Sequence, residues 1–277
     1  MTNLPYRQQI VVDQLQRDLD NIEKDWPMTA NYERCDPYII DFMQAGQHFE
    51  LIIYHFESKA WFDNDINDYI LTTIANQSLI KPNDVVFDLG CNAGAITVAM
   101  ASMCRQGGMV HAFDPYPWNA VATRCNAALN GLDNVRSYPV GISNRSFKID
   151  VAPNDSRIFE KSEVANAHVI AIEDYRNFRH LKPTFLKIDI EGSEHDLFED
   201  RDPNMFASVR AFALEFHPFW IRPRGIEPVD SLRSILASGF TLHPHTIDSP
   251  AFDPAQYNED MHMFWGDRQN QLERTQH

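Results

Sequence analysis

The sequence predicts an α/β fold in which a mostly parallel sheet is covered by helices on both faces. Two observations support this prediction. From residue 85 onward, short apolar segments of strand character alternate with longer segments of helical periodicity. Glycine-containing turns separate many of these segments, as in the βα units of parallel sheets. The 277 residues, of which 44% are hydrophobic, are enough to bury a sizeable core.

The first 80 residues precede the alternating pattern and are predicted to form a mainly helical extension or lid. The segment QQIVVDQLQRDLDNIEKDW places Val12, Leu15, Leu19, Ile22 and Trp26 at spacings of three and four, which is typical of an amphipathic helix. HFELIIYHFESKAWF is strand-like in composition, and DINDYILTTIANQSLI indicates a second helix. We therefore predict an extension over residues 1–80 and a main domain over residues 81–277.

Five strands and a final hairpin follow in the predicted main domain. The predicted strands are VVFDLG, MVHAFDP, NVRSYPVGIS, TFLKIDIEG and VRAFALEFH, with FKIDV and HVIAI as short excursions. The predicted helices are AITVAMASMC, WNAVATRCNAALNGL with Gly131 near its end, SEHDLFED and VDSLRSILASGF. FTLHPHT and MHMFWGD are predicted to form a hairpin at the sheet edge.

Composition and charge exclude several classes of function. The net charge of −15 disfavours nucleic-acid partners, and the basic residues form no cluster. No segment approaches the roughly 18 apolar residues of a membrane helix, and the first residues do not resemble a secretory signal. The four cysteines have neither CxxC nor zinc-site spacing. We therefore expect free thiols, a cytoplasmic location, and partners that are neither nucleic acid nor membrane.

The stretch VVFDLGCNAGAITVAMA is the strongest candidate for a cofactor site. Gly90 and Gly94 permit a sharp turn after the first strand of the main domain, at the sheet edge where such folds bind ligands. Asp88 would repel a pyrophosphate but suits a cationic group, and Asn92 replaces a glycine of the dinucleotide pattern. S-adenosylmethionine carries an ammonium and a sulfonium but no phosphate, so it is the predicted cofactor.

A second acid, Asp114, ends the next strand and suits the hydroxyls of a ribose. Turn and cap chemistry is the simpler alternative for both acids. By position, the adenine is expected near Gly141, Ile142 and Ser143. The predicted cofactor-binding set is Asp88, Gly90, Cys91, Asn92, Gly94, Asp114, Pro115, Gly141 and Ile142.

Several segments together resemble the FkbM-type S-adenosylmethionine-dependent methyltransferases over residues 85–217. FLKIDIEGSEHDLFE is the most specific of them, and VHAFDPYPWNAVATRCNAALNGL is another. The resemblance implies a seven-stranded Rossmann-like sheet and methylation of a hydroxyl oxygen on a sugar, glycan or related natural product. It assigns Asp88, Gly90, Asn92 and Gly94 to the methionine loop and Asp114 to the ribose. Two residues depart from the family's common pattern: Cys91 stands where alanine is common, and Asp114 where glutamate is commoner. Both departures fit the expected roles, because Cys91 is also small and the shorter side chain of Asp114 can still contact both ribose hydroxyls.

The predicted catalytic residues are Asp189, His217 and Lys187. Asp189 ends the strand beside the expected methyl position, and Lys187 is expected to pair with it or with Glu191. The ordinary pKa of a histidine is near neutral, which makes His217 a candidate general base. The alternatives are a rim ion pair for Lys187 and an ordinary hydrogen-bonded histidine for His217. Asp189 and Glu215 are also candidates to hold a divalent ion, but two acids do not establish a metal site.

The acceptor is expected to contact Glu191, Glu215 and Trp220. Aromatic residues at 61, 62, 219 and 220 are candidates to stack on a sugar, and Arg222 and Arg224 are candidates to bind an anionic group. Core packing and surface solvation are the alternatives. Three other functions stay open at this stage: a nicotinamide-dependent oxidoreductase, a non-catalytic protein that keeps the fold, and methylation of a nitrogen or of a protein side chain.

Overall fold

A computed structural model describes residues 4–24, 34–44, 46–55, 69–149, 167–199, 205–245 and 250–268. Three residues with predicted roles lie outside this described part: Trp26, predicted on the first helix, and Trp61 and Phe62, which are candidates to stack on a sugar. In the described part of the chain, no helix combines the length and the apolar character needed to cross a membrane.

The N-terminal segment combines helices with an antiparallel hairpin. Its elements are α1 (Tyr6–Ile22), β1 (Arg34–Gln44), β2 (Gln47–His55) and α2 (Tyr69–Asn76). As the helical spacing predicts, α1 buries Val12, Leu15 and Leu19. The strand-like composition around residue 50 is confirmed by β2, whereas β1 has no counterpart in the predictions.

The main sheet has seven strands, and its order confirms the predicted architecture. The strands are β3 (Val85–Leu89), β4 (Met109–Phe113), β5 (Val135–Tyr138), β9 (Phe185–Ile188), β10 (Ala211–Glu215), β11 (Thr241–Pro244) and β12 (Met263–Asp267). They lie in the order β11-β12-β10-β9-β3-β4-β5. The run from β10 to β5 is parallel, and β12 is antiparallel to both its neighbours. The predicted edge hairpin is therefore present.

Helices cover both faces of this sheet. They are α3 (Ala95–Met103), α4 (Pro117–Leu129), α5 (Ile172–Arg179), α6 (Glu194–Phe198), α7 (Pro218–Ile221) and α8 (Pro228–Ala237). Alternate strand residues enter different cores: Val86 packs with α2 and α3, whereas Phe87 packs with Leu186 and Phe212.

The predicted third strand divides in two, which corrects the sequence reading of that segment. Only β5 joins the main sheet, while Gly141 and Ile142 belong to β6 (Gly141–Ser143). β6 forms a three-stranded sheet with β7 (Phe147–Ile149) and β8 (Ala167–Ala171). Pro139 lies between the two pieces and has no backbone N–H to continue a ladder.

Helix α4 connects the N-terminal hairpin to the glycine turn. The side-chain oxygen of Asn126 accepts a hydrogen bond from the backbone N–H of Ile52 at 2.8 Å. Its side-chain nitrogen donates to the carbonyl of Ala93 at 2.8 Å. The N-terminal segment thus packs directly against the main sheet's helices, and the division at residue 80 stays a prediction.

Candidate active site

The turn after β3 is held in its shape by the protein itself. Gly90 and Gly94 have φ values of +83° and +89°, and Asn92 between them has +47°. A Cβ on Gly90 would lie 1.7 Å from the carbonyl oxygen of Asp189. Both glycines are predicted to allow close approach of a ligand, but at Gly90 the closest group is the backbone of Asp189, directly after β9.

Cys91 also contributes to the shape of this turn. Its backbone N–H donates to the carbonyl of Phe113 at 3.0 Å, and its sulfur lies 3.4 Å from the hydroxyl of Thr123. Burial raises the pKa of the thiol well above its ordinary value. Cys91 is therefore a small, neutral packing residue beneath the turn.

Asp88 lies below the turn and is paired with Lys187. The two residues face each other in register on β3 and β9, with 3.4 Å between the ammonium nitrogen and a carboxylate oxygen. The hydroxyl of Thr97 donates to the other oxygen at 2.5 Å. Asp88 has no exposed surface, so burial raises its pKa and the charge of Lys187 opposes this rise. Its predicted contact with the cofactor's ammonium stays a prediction.

Lys187 connects the turn to the catalytic candidate Asp189. Its ammonium donates to the carbonyl of Gly90 at 2.5 Å and to a carboxylate oxygen of Asp189 at 3.1 Å. The predicted pairing of Lys187 with Asp189 is therefore present, with Asp88 as an additional partner.

Asp114 follows β4 at the same edge of the sheet. Its carboxylate accepts hydrogen bonds from the backbone N–H groups of Asn92 and Tyr116, both at 2.9 Å, and from the side chain of Asn119 at 3.0 Å. Burial raises the pKa of Asp114 to about 6 in spite of these bonds. Pro115 comes next in the chain and is partly exposed.

The turn and its acids fit a cationic nucleoside without phosphate. The acidic side chains Asp88, Asp114 and Asp189 surround a turn whose Gly90 and Cys91 N–H groups are bonded to Phe113. A pyrophosphate needs free amide donors and would meet these carboxylates. The side chain of Ile142 is 4% exposed and packs in the core. Its expected contact with the adenine stays a prediction.

His217, after β10, lies among four carboxylates. Its Nδ1 is 2.8 Å from Glu194 Oε1, and its Nε2 is 3.6–3.8 Å from oxygens of three acids: Asp189, Glu191 and Glu215. Burial is the largest single influence and lowers the pKa of His217. The hydrogen bond and charge of Glu194, together with the charges of Asp189 and Glu191, outweigh burial and raise the pKa to about 10.

The predicted role of His217 as a base of ordinary pKa is not supported by this environment. An imidazole with a pKa near 10 already carries its proton at neutral pH. No local sequence pattern indicates this rise in pKa, because the surrounding acids come from separate parts of the chain. Glu194 was missed altogether. The signal available was its place in the most specific motif, two residues after the Glu-Gly pair.

The predicted acceptor residues meet at one side of this cluster. The indole N–H of Trp220 donates to Glu191 at 3.0 Å, and Trp220 packs so closely on Gly192 that a Cβ there would lie 2.6 Å from it. Burial raises the pKa of Glu191. A cavity of about 690 Å³ adjoins the cluster, and its lining includes Glu215, His217 and Trp220.

The two arginines near this cavity are paired with acids of the chain. Arg224 donates to both carboxylate oxygens of Asp196, at 2.8 and 2.9 Å, and Arg222 pairs with Glu259. The structure therefore does not favour an anionic acceptor group at these positions.

Comparison with known proteins identifies the family. The model of the methyltransferase FkbM domain matches residues 88–242, which is more than half of the chain. The chain belongs to the FkbM methyltransferase family. Membership confirms the family, the fold and the enzyme class expected from the sequence, an S-adenosylmethionine-dependent methyltransferase.

One curated relative in this family is the 2-O-methyltransferase NoeI of Sinorhizobium fredii. It is 34% identical over 77 residues, which cover 28% of this chain and 30% of NoeI. The match therefore spans less than a third of that relative's length.

Solved structures with a similar arrangement include Methanococcus jannaschii fibrillarin, at 14% identity and a TM-score of 0.44 over 87% of this chain and 86% of that one. M. jannaschii TYW2 in complex with AdoMet is similar at 12% identity and a TM-score of 0.39, over 83% and 84% of the two chains.

Proposed function

We propose that this FkbM methyltransferase transfers a methyl group from S-adenosylmethionine to a hydroxyl oxygen of a sugar, glycan or related natural product. The position of Asp189 carries the proposal. Its backbone oxygen lies against the cofactor turn at Gly90, and its carboxylate belongs to the polar cluster beside the cavity. Asp189 is thus the residue that borders both the donor site and the acceptor site.

The residues at the donor site have distinct roles in this proposal. Asp114 accepts hydrogen bonds from the ribose hydroxyls, in place of some of its present backbone partners. Lys187 neutralises Asp88 and fixes the carboxylate of Asp189. When bound, S-adenosylmethionine supplies an electrophilic methyl group on its sulfonium, so the chain has mainly to position the reactants.

The proton of the acceptor hydroxyl needs a base, and we assign this role to Asp189. A charged His217 cannot accept a proton, whereas the carboxylate of Asp189 is partly exposed, at 23%, toward the cluster. The acceptor oxygen bonds to the methyl carbon as the carbon–sulfur bond breaks, and the proton passes to Asp189. The products are a methyl ether and S-adenosylhomocysteine.

The cavity supports an acceptor with several hydroxyl groups. Phe219 is 74% exposed and Tyr69 is 59% exposed, and both line the cavity with Trp220. Such aromatic faces stack on sugar rings, while Glu215 and the neighbouring acids accept hydrogen bonds from hydroxyls. The name of the relative NoeI, a 2-O-methyltransferase, supports oxygen as the methylated atom.

The finer statements about partners and location are part of the proposal. The net charge of −15 supports a small-molecule or glycan acceptor over a nucleic acid. All four cysteines are free thiols, which supports a reducing compartment and hence the cytoplasm.

The test is a screen of sugars, glycans and polyketides for consumption of S-adenosylmethionine, with the methylated atom located by mass spectrometry. With an accepted substrate, Asp189→Asn should lower turnover by about 100-fold or more, as loss of a general base does. Its affinity for S-adenosylhomocysteine should be unchanged. Asp133→Asn, at an exposed aspartate that does not line this cavity, is the control and should stay active. Full activity of Asp189→Asn would contradict the assigned role.

A further inference from the structure

Three side chains at the carboxyl ends of β9 and β10 converge on one point. Asp189, Glu215 and His217 each offer a ligand atom, and these atoms lie within 4.8 Å of one another. His217 Nε2 is 3.8 Å from Asp189 Oδ1 and 3.7 Å from Glu215 Oε1. Two carboxylates and one imidazole are a donor set for divalent first-row cations such as Mn²⁺. We propose that these three residues bind a divalent cation of this kind, which displaces the proton from Nε2 of His217 to solvent.

The orientation of His217 is an independent observation that favours a bound ion. Glu194, which has no exposed surface, accepts a hydrogen bond from Nδ1 at 2.8 Å. Nδ1 is thereby occupied and Nε2 is directed at the carboxylates of Asp189 and Glu215. Histidines that bind metals typically donate their other ring N–H to a carboxylate in this way.

The balance of charge points in the same direction. The second oxygen of Glu194 is buried and has no hydrogen-bond partner among the described residues. Four carboxylates therefore surround the single imidazole of His217, and Lys187 is already shared between Asp88 and Asp189. A dication held by Asp189 and Glu215 would offset two of these four negative charges, which reduces the cost of placing like charges close together.

The position of the site gives the ion a role in the proposed function, on which this part of the inference rests. Asp189 touches the cofactor turn, and Glu215 and His217 line the cavity. An ion there would hold and orient neighbouring hydroxyls of the acceptor and ease loss of the proton. With the ion bound, Asp189 is a ligand, and Glu191, the partly buried acid of the cluster outside the ligand set, would take the role of base that Asp189 has in the ion-free site.

The experiment measures metal binding without cofactor or acceptor. The full chain is stripped with a chelator and titrated with Mn²⁺, and free Mn²⁺ is followed by electron paramagnetic resonance. We expect one saturable site per chain. Glu215→Gln should weaken binding about tenfold or more, and its side chain is 43% exposed, so the variant should fold. Asp189→Asn should weaken binding similarly.

Asp260→Asn is the matched control, since it removes one carboxylate at the rim of the same cavity but outside the ligand set. It should bind Mn²⁺ like the unaltered protein. Absence of saturable binding, or equal binding by Glu215→Gln, would overturn the proposed site.

A methylation assay separates this inference from the proposed function. Activity that is lost with chelator and restored by Mn²⁺ supports the ion's role, and full activity of the stripped protein overturns that role while supporting methyl transfer. Saturable Mn²⁺ binding without methylation of any acceptor supports the metal site and counts against the proposed function.

Discussion

The Nδ1 atom of His217 lies 2.8 Å from Oε1 of Glu194, a carboxylate with no exposed surface. Glu194 begins α6, whereas His217 follows β10, so the contact joins two segments that are distant in the chain. It fixes which nitrogen of the imidazole faces Asp189 and Glu215. This buried pair therefore sets both the direction and the charge of the residue at the centre of the candidate site.

Glu194→Gln should uncouple the charge of His217 from its position. Glutamine keeps the size of the side chain but removes the charge that raises the pKa of His217 to about 10. In the metal-free protein, an NMR titration of the imidazole should show the pKa falling toward the ordinary value. Activity should fall about ten- to hundredfold. Glu199→Gln, an exposed change after the same helix, is the control; an unaltered His217 titration in Glu194→Gln would refute the coupling.

Asp114 should make cofactor binding depend on pH. Burial raises its pKa to about 6, and only the charged form accepts hydrogen bonds from both ribose hydroxyls with both oxygens. The affinity for S-adenosylhomocysteine should therefore fall as the pH decreases through about 6, by up to roughly tenfold per pH unit. Calorimetry at pH 7.5 and pH 5 measures this change.

Asp114→Ala should also abolish the rise in melting temperature that S-adenosylhomocysteine causes. Asp133→Ala, at an exposed aspartate, should keep the full rise. If Asp114→Ala retained it, the ribose contact would have to be assigned elsewhere.

Gly90→Ala should destabilise the fold far more than an equivalent change at an open glycine. The added Cβ would lie 1.7 Å from the carbonyl oxygen of Asp189, and the φ of +83° adds strain. We expect a loss of about 3 kcal/mol or more in the free energy of unfolding, measured with urea. Gly225 has a φ of +75°, and a Cβ added there would have no atom of the described residues within 4 Å beyond its chain neighbours, so Gly225→Ala should cost only about 1–2 kcal/mol. Equal losses would show that conformation, not contact with β9, decides the cost.

The protein should lose stability in mild acid because of His111. Burial, assisted by nearby arginines, lowers the pKa of this residue to about 4 from the ordinary 6.5. The unfolded chain takes up a proton as the pH falls below 6.5, while the folded chain does so only near pH 4. Stability is therefore lost on going from pH 6.5 to pH 4, by about 3 kcal/mol for this residue.

Urea unfolding of His111→Gln at pH 7 and pH 5 checks this prediction. The variant should show a smaller difference between the two pH values than the unaltered protein. His48→Gln changes an exposed histidine and should behave like the unaltered protein. The same pH dependence in all three proteins would mean that other groups cause it.

The sequence predicted most elements of the sheet because their signals are local. Apolar strands, glycine turns and helical periodicity identify β3, β4, β9 and β10 without knowledge of their neighbours. The split between β5 and β6 was missed, because β6 pairs with β8 across some 25 residues of chain. β1 was missed for a similar reason: its sequence RCDPYIIDFMQ mixes polar and apolar residues, and its partner β2 supplies the pairing.

The proximity of the predicted site residues could be expected from the sequence, but the environment of each residue could not. Asp189, Lys187 and His217 were all identified from strand ends, and the structure places them together. The pairing of Lys187 with Asp88 depends on the register of two strands, and the pKa of His217 depends on acids from several elements. Such long-range charge sums have no local sequence pattern.

A single side-chain amide, that of Asn126, holds both the hairpin strand β2 and the carbonyl of Ala93 in the glycine turn after β3. Removal of the residues before position 80 would leave the side-chain oxygen of Asn126 without its donor, the backbone N–H of Ile52. It would also expose the apolar surface of α4. We therefore expect the described hairpin to support the shape of the glycine turn.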